Sequence, residues 1–149
     1  MTPIFVDTNV FVRHFARDLP DQSALATTFL MRVDAGSIEA TITESVLLEL
    51  EHVLTSRSLP YRLDRGDVVK SMRAILGMGG LRLSSADRFT YDTAVDLYEG
   101  YPIDFGDALL VARMRQTGAI EVASFDRHHL DRLPNLKRID LTAAGHRAL

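Results

Sequence analysis

The sequence predicts an α/β fold in which helices cover both faces of a largely parallel sheet. Short apolar segments alternate with longer segments whose apolar residues recur at helical spacing, which is typical of strands alternating with amphipathic helices. The chain also has no internal repeat, low-complexity segment or linker, and its 149 residues suit one compact domain. We therefore expect a single domain over residues 1–149.

The first elements are a short apolar segment and two helical ones. Residues 4–6 form an apolar run that ends at an acid, which is typical of a buried strand. A short helix is predicted at 9–16, followed by a turn at 18–21. Apolar residues then recur at helical intervals over 22–35, and Gly36 ends this helix.

The next elements are a strand at 39–42 and two helices, each preceded by a residue suited to an N-cap. Thr43 precedes the helix predicted at 44–55, and Asp64 precedes the helix predicted at 65–76. A side-chain oxygen at this position accepts a hydrogen bond from a backbone N–H of the first turn, which favours a helix start there.

The carboxyl-terminal half continues the alternation. A strand is predicted at 81–83, and Ser84 or Ser85, with Asp87 in the first turn, opens a helix that runs to about residue 99. The remaining predicted elements are a helix at 105–116, a strand at 120–124, one helical turn at 127–132 and a strand at 136–140. Apolar strands that alternate with helices in this way favour parallel pairing.

Composition narrows the class of protein. Hydrophobic residues make up 46% and charged residues 25% of the chain, as in ordinary soluble domains. The absence of cysteine excludes disulfides and thiolate metal sites and suits a reducing cytosol, so we expect a cytoplasmic protein. No signal peptide and no apolar run of about 20 residues is present, so no membrane association is expected. A net charge of −3 does not by itself indicate nucleic-acid binding.

Two acids follow predicted strands at the positions where α/β folds bind ligands. Asp7 directly follows the first strand, and Asp126 lies two residues after the fourth. Ligands of open α/β sheets bind beyond the carboxyl ends of the strands. If the first and fourth strands are neighbours, both carboxylates open into one crevice.

Two more acids lie at the start of the helix predicted at 105–116. Asp104 and Asp107 are three residues apart and so share a side of the helix. Asp104 is either a metal ligand or a helix cap, and the cap is the slightly favoured interpretation. Asp107 lies one turn in and precedes an apolar run, where no cap is needed.

The helix at 44–55 offers a further carboxylate, but periodicity leaves its identity open. Glu49 and Glu51 fall at opposite edges of the apolar stripe. Glu44, in the first turn, is explained by the helix dipole.

Several carboxylates that converge need a cation. One pair about 4 Å apart costs on the order of 4 kcal/mol at an effective dielectric near 20. Oxygen ligands without cysteine or a clear histidine motif favour Mg²⁺ or Mn²⁺. Such a metal supports hydrolysis of phosphate esters, which does not distinguish a nuclease from a phosphatase. His128 and His129 follow Asp126, but adjacent side chains point in different directions, so a surface turn is favoured over a metal site.

Four segments of the chain, taken in order, resemble the acidic motifs of PIN-domain ribonucleases. The resemblance covers about residues 4–141, and it breaks the tie between the two glutamates in favour of Glu49. The matching segments are Val6-Asp7-Thr8-Asn9, Leu47-Leu48-Glu49-Leu50, Asp104-Phe105-Gly106-Asp107-Ala108-Leu109-Leu110 and Ser124-Phe125-Asp126-Arg127.

The resemblance implies a fold, an activity and partners. It implies a three-layer α/β/α PIN-like fold whose central, mostly parallel sheet has four or five strands. It also implies an Mg²⁺- or Mn²⁺-dependent endoribonuclease that cleaves RNA. The size of the chain is similar to that of the toxin in VapBC-type toxin–antitoxin pairs, which implies a homodimer and a small antitoxin that blocks the active site.

The resemblance also implies the site residues. Asp7, Glu49 and Asp107 would be the core catalytic and metal-binding acids, and Asp126 matches a fourth position that varies more within the family. Asp104 would be an accessory acid near the metal.

Three polar residues would support these acids. We expect Thr8 to support Asp7 through a hydrogen bond, Asn9 to cap the following helix, and Ser124 to orient the fourth acid. Ordinary turn chemistry is an alternative explanation for all three.

Other functions remain open. One is a PIN nuclease of RNA processing outside any toxin–antitoxin pair, and another is a PIN-like binding module without catalysis, which the four filled acidic positions disfavour. A phosphoacceptor signalling domain ranks low, because such domains need an acidic pair near the first strand and a late lysine. Here Thr8 and Asn9 follow Asp7, and the late lysine is Lys137.

Overall fold

A computed structural model describes residues 2–57, 60–139 and 141. The part of the chain that it describes contains five strands and seven helices. The strands are β1 (Ile4–Val6), β2 (Ala40–Thr43), β3 (Leu81–Ser84), β4 (Glu121–Ala123) and β5 (Lys137–Ile139). The helices are α1 (Thr8–Ala16), α2 (Pro20–Asp34), α3 (Glu44–Thr55), α4 (Arg65–Leu76), α5 (Arg88–Gly100), α6 (Phe105–Thr117) and α7 (Arg127–Leu130).

The five strands form one parallel sheet in the order β3-β2-β1-β4-β5. This confirms the predicted α/β fold, and it shows that the first and fourth strands are neighbours, which is the condition for Asp7 and Asp126 to open into one crevice. In that pair, Phe5 aligns with Val122 and Val6 with Ala123. The strand order reverses at β1, so the crevice beyond the carboxyl ends of β1 and β4 is the expected ligand position.

Two apolar cores lie on opposite faces of the sheet. Successive strand residues point to opposite faces, so Val6 joins the core formed with α1 to α4, and Phe5 joins the core formed with α5 to α7. Both side chains are fully buried. This arrangement confirms the three-layer α/β/α architecture. None of the described helices is long and apolar enough to span a bilayer.

Several predicted boundaries differ from the structure. The turn predicted at 18–21 is wrong in its second half, because α2 already starts at Pro20. Proline is well suited to a first helical position, where its missing N–H costs nothing. Thr43 occupies the N-cap position of α3, but its hydroxyl pairs with Ser45 Oγ at 2.7 Å and makes no capping bond to the backbone. Asp64 caps α4 as predicted, accepting from the N–H of Asp67.

The other two differences lie in the carboxyl-terminal half. Asp87, and neither Ser84 nor Ser85, is the N-cap of α5, and it forms a capping box with Thr90. The fifth strand is confirmed at Lys137–Ile139, whereas Asp140, which the prediction included, lies outside the described residues.

Candidate metal centre

Five carboxylates line one pocket at the carboxyl ends of β1 and β4. They come from four different parts of the fold, and the polar residues Thr8, Asn9 and Arg13 line the same pocket. The acids are Asp7, Glu49, Asp104, Asp107 and Asp126. The guanidinium of Arg13 is held by Asp18 at 3.1 Å and by Gln22, so it already has partners outside the acidic cluster.

Asp7, directly after β1, is held by three hydrogen bonds. Its Oδ1 accepts from the N–H of Thr8 at 2.8 Å, and its Oδ2 accepts from Ser124 Oγ at 2.8 Å and from Asn9 Nδ2 at 3.1 Å. Burial raises the pKa of Asp7 to about 6 despite the bonds from Ser124 and Thr8, and nearby acids add to the increase. The carboxylate is therefore fixed in orientation, and it loses its proton at a higher pH than an exposed aspartate does.

The prediction that Asn9 caps the following helix is wrong. Asp7 is the N-cap of α1, and Asn9 is inside the helix. The Asn9 side chain instead connects the two strands of the crevice: Nδ2 donates to Asp7 and to Ser124 Oγ, and Oδ1 accepts from the N–H of Phe125. Asn9 thus ties β1 to the segment that follows β4.

Ser124 contacts both of the acids at this edge of the sheet. Its hydroxyl donates to Asp7 and accepts a 3.0 Å hydrogen bond from the backbone N–H of Asp126. The Ser124 side chain is buried, and the low dielectric around it strengthens these two hydrogen bonds. Ser124 therefore contacts Asp126 as expected, although it bonds the backbone N–H and not the carboxylate. Its hydrogen bond to Asp7 was not expected.

Thr8 supports Asp7 as expected, but only through its backbone N–H, and its side chain supports a second acid. Its hydroxyl donates to Glu49 Oε2 at 2.7 Å, whereas Asp7 receives only the Thr8 backbone N–H. Burial raises the pKa of Glu49, which the Thr8 bond opposes and the charges of Asp104 and Asp7 reinforce. The structure also distinguishes the two glutamates of α3, because Glu51 is exposed and lines no part of this pocket.

Gly106 makes room for Glu49. A Cβ atom at this position would overlap Glu49 Oε1 and come within 3.4 Å of Asp104 Oδ1. A side chain on residue 106 would therefore push the Glu49 carboxylate out of the cluster. This requirement for glycine lies between Asp104 and Asp107 and is a feature of the site that sequence analysis missed.

Asp104 is a helix cap, and it also lines the pocket. Its Oδ1 accepts from the N–H of Asp107 at 2.8 Å, while the side chain remains exposed. The two interpretations of Asp104 that the sequence left open are thus compatible, because a cap bond uses only one lone pair of the carboxylate.

Asp107 is the least satisfied acid of the cluster. It is only 7% exposed, and its Oδ2 is buried without a hydrogen-bond partner among the described residues. Burial, followed by the charges of Asp7, Asp104, Asp126 and Glu49, raises the pKa of Asp107 to about 8. A buried, unpaired carboxylate oxygen among like charges is unfavourable unless a cation neutralises it.

Asp126 differs from the other acids because histidines satisfy it. Its Oδ1 accepts from the N–H groups of His128 and His129, and its Oδ2 lies 2.8 Å from His129 Nδ1. Burial acts to raise the pKa of Asp126, but these hydrogen bonds and the His129 charge outweigh it and lower the pKa. His129 Nδ1 is also 3.7 Å from Asp107 Oδ2.

The interpretation of both histidines as a surface turn is therefore correct only for His128. His128 is exposed, whereas His129 is half-buried against two acids. The signal was the three-residue spacing from Asp126, which puts both side chains on one side of a helical turn. His129 was missed because its position depends on α7 forming directly after an N-cap at Asp126.

The donor set fits a hard divalent cation. Such ions take carboxylate oxygens from several parts of a chain, and here five carboxylates share one pocket. Asp107 Oδ2, which none of the described residues hydrogen-bonds, and the raised pKa values of Asp7, Glu49 and Asp107 are the features expected of a cluster that a cation completes.

Family comparison agrees with this geometry. The sequence profile of the PIN domain matches residues 4–136, most of the chain. The chain belongs to the PIN domain family. Comparison with curated protein sequences gave no match to this PIN domain.

Solved structures share the fold of this PIN domain at low sequence identity. VapC20 from Mycobacterium tuberculosis, described as a toxin that cleaves the sarcin–ricin loop, matches with a TM-score of 0.65 and 20% identity over 95% of each chain. A toxin–antitoxin complex from Klebsiella pneumoniae matches with a TM-score of 0.62 and 13% identity over 93% of this chain and 97% of that one. VapBC2 from Rickettsia felis, bound to a promoter DNA fragment, matches with a TM-score of 0.63 and 15% identity over 92% of this chain and 98% of that one.

Proposed function

We propose that this PIN domain is an Mg²⁺- or Mn²⁺-dependent endoribonuclease whose catalytic acids are Asp7, Glu49, Asp107 and Asp126. The observation that carries the proposal is the buried Oδ2 of Asp107, which has no hydrogen-bond partner in the described part of the chain and lies inside a pocket of five carboxylates. That arrangement is unfavourable for the bare protein and favourable with a cation. Asp104 is the fifth residue that would hold the metal.

The chain's own residues have distinct tasks in this proposal. A divalent cation, when bound, would neutralise the carboxylates and provide Lewis-acid activation of a phosphodiester and a water molecule. Ser124 and Asn9 hold Asp7 in a fixed orientation, and Thr8 does the same for Glu49. Preorganised ligands of this kind avoid the cost of reorganisation during the reaction.

A role as the toxin of a toxin–antitoxin pair is the second part of the proposal. It is supported by the similarity in fold and length to VapC20 and to the matched chains of the Klebsiella pneumoniae toxin–antitoxin complex and of VapBC2. The expected partners are RNA as substrate, a small cognate antitoxin and a second copy of the chain in a homodimer. The expected location is the cytoplasm.

Cleavage of RNA by the purified chain tests the nuclease. We expect cleavage of total RNA with Mg²⁺ or Mn²⁺, complete inhibition by EDTA, and recovery when metal is returned. The variant Asp7→Asn should fold and lose cleavage, whereas Asp92→Asn, which changes an exposed acid on α5, should retain it. Cleavage in EDTA, or full activity of Asp7→Asn, would refute the proposed site.

Toxicity separates the toxin from a PIN nuclease of RNA processing. Expression of the chain should arrest growth, and the product of a short neighbouring reading frame should bind it and relieve the arrest. A chain that cleaves RNA without toxicity would favour RNA processing. A chain that binds no metal and cleaves nothing would favour a non-catalytic PIN-like binding module.

A further inference from the structure

The segment after β4 brings a ring nitrogen into the acidic pocket. Asp126 is the N-cap of α7, and His129 lies three residues later on the same side of the turn. As a result, His129 Nδ1 is 2.8 Å from Asp126 Oδ2 and 3.7 Å from Asp107 Oδ2. One donor atom from each of Asp107, Asp126 and His129 lies within 4.8 Å of the other two. Three donors this close together can share one cation.

A second observation points to a ligand between these groups. Asp107 Oδ2, the oxygen that faces His129, is buried and has no hydrogen-bond partner among the described residues. A histidine that served only to satisfy this oxygen would be expected at hydrogen-bond distance, and 3.7 Å is too long for that. The gap leaves Asp107 Oδ2 without a hydrogen bond, while His129 Nδ1 lies 2.8 Å from Asp126 Oδ2. Neighbouring ligands of an octahedral ion with bonds of about 2.1 Å are about 3 Å apart, so a cation bound by all three groups would replace that hydrogen bond without moving the two side chains far apart.

We infer that His129 Nδ1 is a nitrogen ligand of the bound cation, together with Asp107 and Asp126, and that it biases the site towards Mn²⁺ over Mg²⁺. The inference rests on the proposed metal-dependent nuclease and specifies its metal centre. Mg²⁺ strongly prefers oxygen and water as ligands. Mn²⁺ also favours oxygen ligands, but as a transition-metal ion it accepts an imidazole nitrogen more readily than Mg²⁺ does. An all-carboxylate centre would lack this bias.

The neighbouring histidine provides a matched control. His128 packs its ring beside that of His129, with centroids 5.1 Å apart, but it is exposed, and it contributes only its backbone N–H to Asp126. Its side chain is therefore outside the donor set. Removal of either imidazole changes the local composition equally, but only one removal takes a donor from the cluster.

Spectroscopy of the untagged, Mn²⁺-loaded wild-type chain tests the nitrogen ligand directly. Electron spin echo envelope modulation should show a directly coordinated nitrogen, which His129→Ala removes and His128→Ala keeps. Mn²⁺ bound to the wild-type chain without nitrogen modulation would overturn the inference and leave the nuclease proposal intact.

Calorimetric titration tests the metal preference. For His129→Ala we expect the Mn²⁺ affinity to fall by about tenfold or more and the Mg²⁺ affinity to change much less, with both unchanged in His128→Ala. Equal losses for the two metals would mean that His129 only positions Asp126, and the inference would be wrong. If the folded wild-type chain bound neither metal, the nuclease proposal would fail together with it.

Discussion

The hydroxyl of Ser124 donates a 2.8 Å hydrogen bond to the carboxylate of Asp7, although 117 positions separate the two residues. The bond crosses from the end of β4 to the end of β1, and both side chains are buried. Because it stabilises the ionised form of Asp7, it partly offsets the effect of burial on this carboxylate. Asp7, in the first of the four acidic segments, is therefore held in part by Ser124, in the fourth.

Removing the Ser124 hydroxyl should weaken metal binding in a pH-dependent way. In Ser124→Ala, Asp7 loses a hydrogen bond to its charged form, so its pKa should rise above about 6. We expect Mn²⁺ affinity to fall by about tenfold near pH 6 and by less near pH 8, measured by calorimetry. Ser85→Ala, which changes an exposed serine, should bind like the wild type at both pH values. An identical loss at both pH values would contradict the proposed link through Asp7.

The two glutamates of α3 should behave differently. Glu49 lines the pocket and accepts from Thr8, whereas Glu51 is exposed. Glu49→Gln should reduce cleavage by about 10- to 100-fold, and Glu51→Gln should leave it unchanged. Initial rates with saturating metal provide the measurement, and equal effects of the two substitutions would argue against Glu49 as a site residue.

A methyl group on residue 106 should disable the site without unfolding the protein. In Gly106→Ala the new Cβ would collide with the end of the Glu49 side chain, which can swing away at little cost. We expect metal affinity to fall by about tenfold, with a change of only a few degrees in the unfolding midpoint. Gly100→Ala is the control, because a Cβ there meets nothing within 4 Å. If Gly106→Ala bound metal normally, Glu49 would not be needed in its present position.

The raised pKa of Asp107 should make the metal-free protein less stable as pH rises from acidic values to about 8. Between its ordinary pKa of 3.8 and the folded value of about 8, this carboxyl is protonated in the folded chain and ionised in the unfolded chain. The unfolded state then binds fewer protons, so the free energy of unfolding falls as pH rises through this window.

Thermal unfolding in EDTA should reveal this dependence. The midpoint of the wild-type chain should fall by several degrees between about pH 5.5 and about pH 8.5, and that of Asp107→Asn should fall less. Mn²⁺ should restore the wild-type midpoint at high pH because the cation replaces the protons. Parallel curves for the two proteins in EDTA would show that Asp107 is not the group responsible.

Local sequence patterns were sufficient to predict the layers of this fold. Apolar runs and helical periodicity identified the strands and helices, because each pattern reports which side of an element is buried. Caps such as Asp64 were also predictable, since a capping bond joins residues only a few positions apart. The four acidic segments, read in order, identified the PIN domain family.

Only the tertiary structure decided which groups these acids meet. The bond from Thr8 to Glu49, the bridge from Asn9 to Ser124 and the space above Gly106 join segments that are far apart in the chain. His129 enters the pocket because Asp126 starts a helical turn there. Periodicity reports burial along one element, whereas a hydrogen bond or a shared cation depends on where two elements meet, and chain folding alone sets that distance.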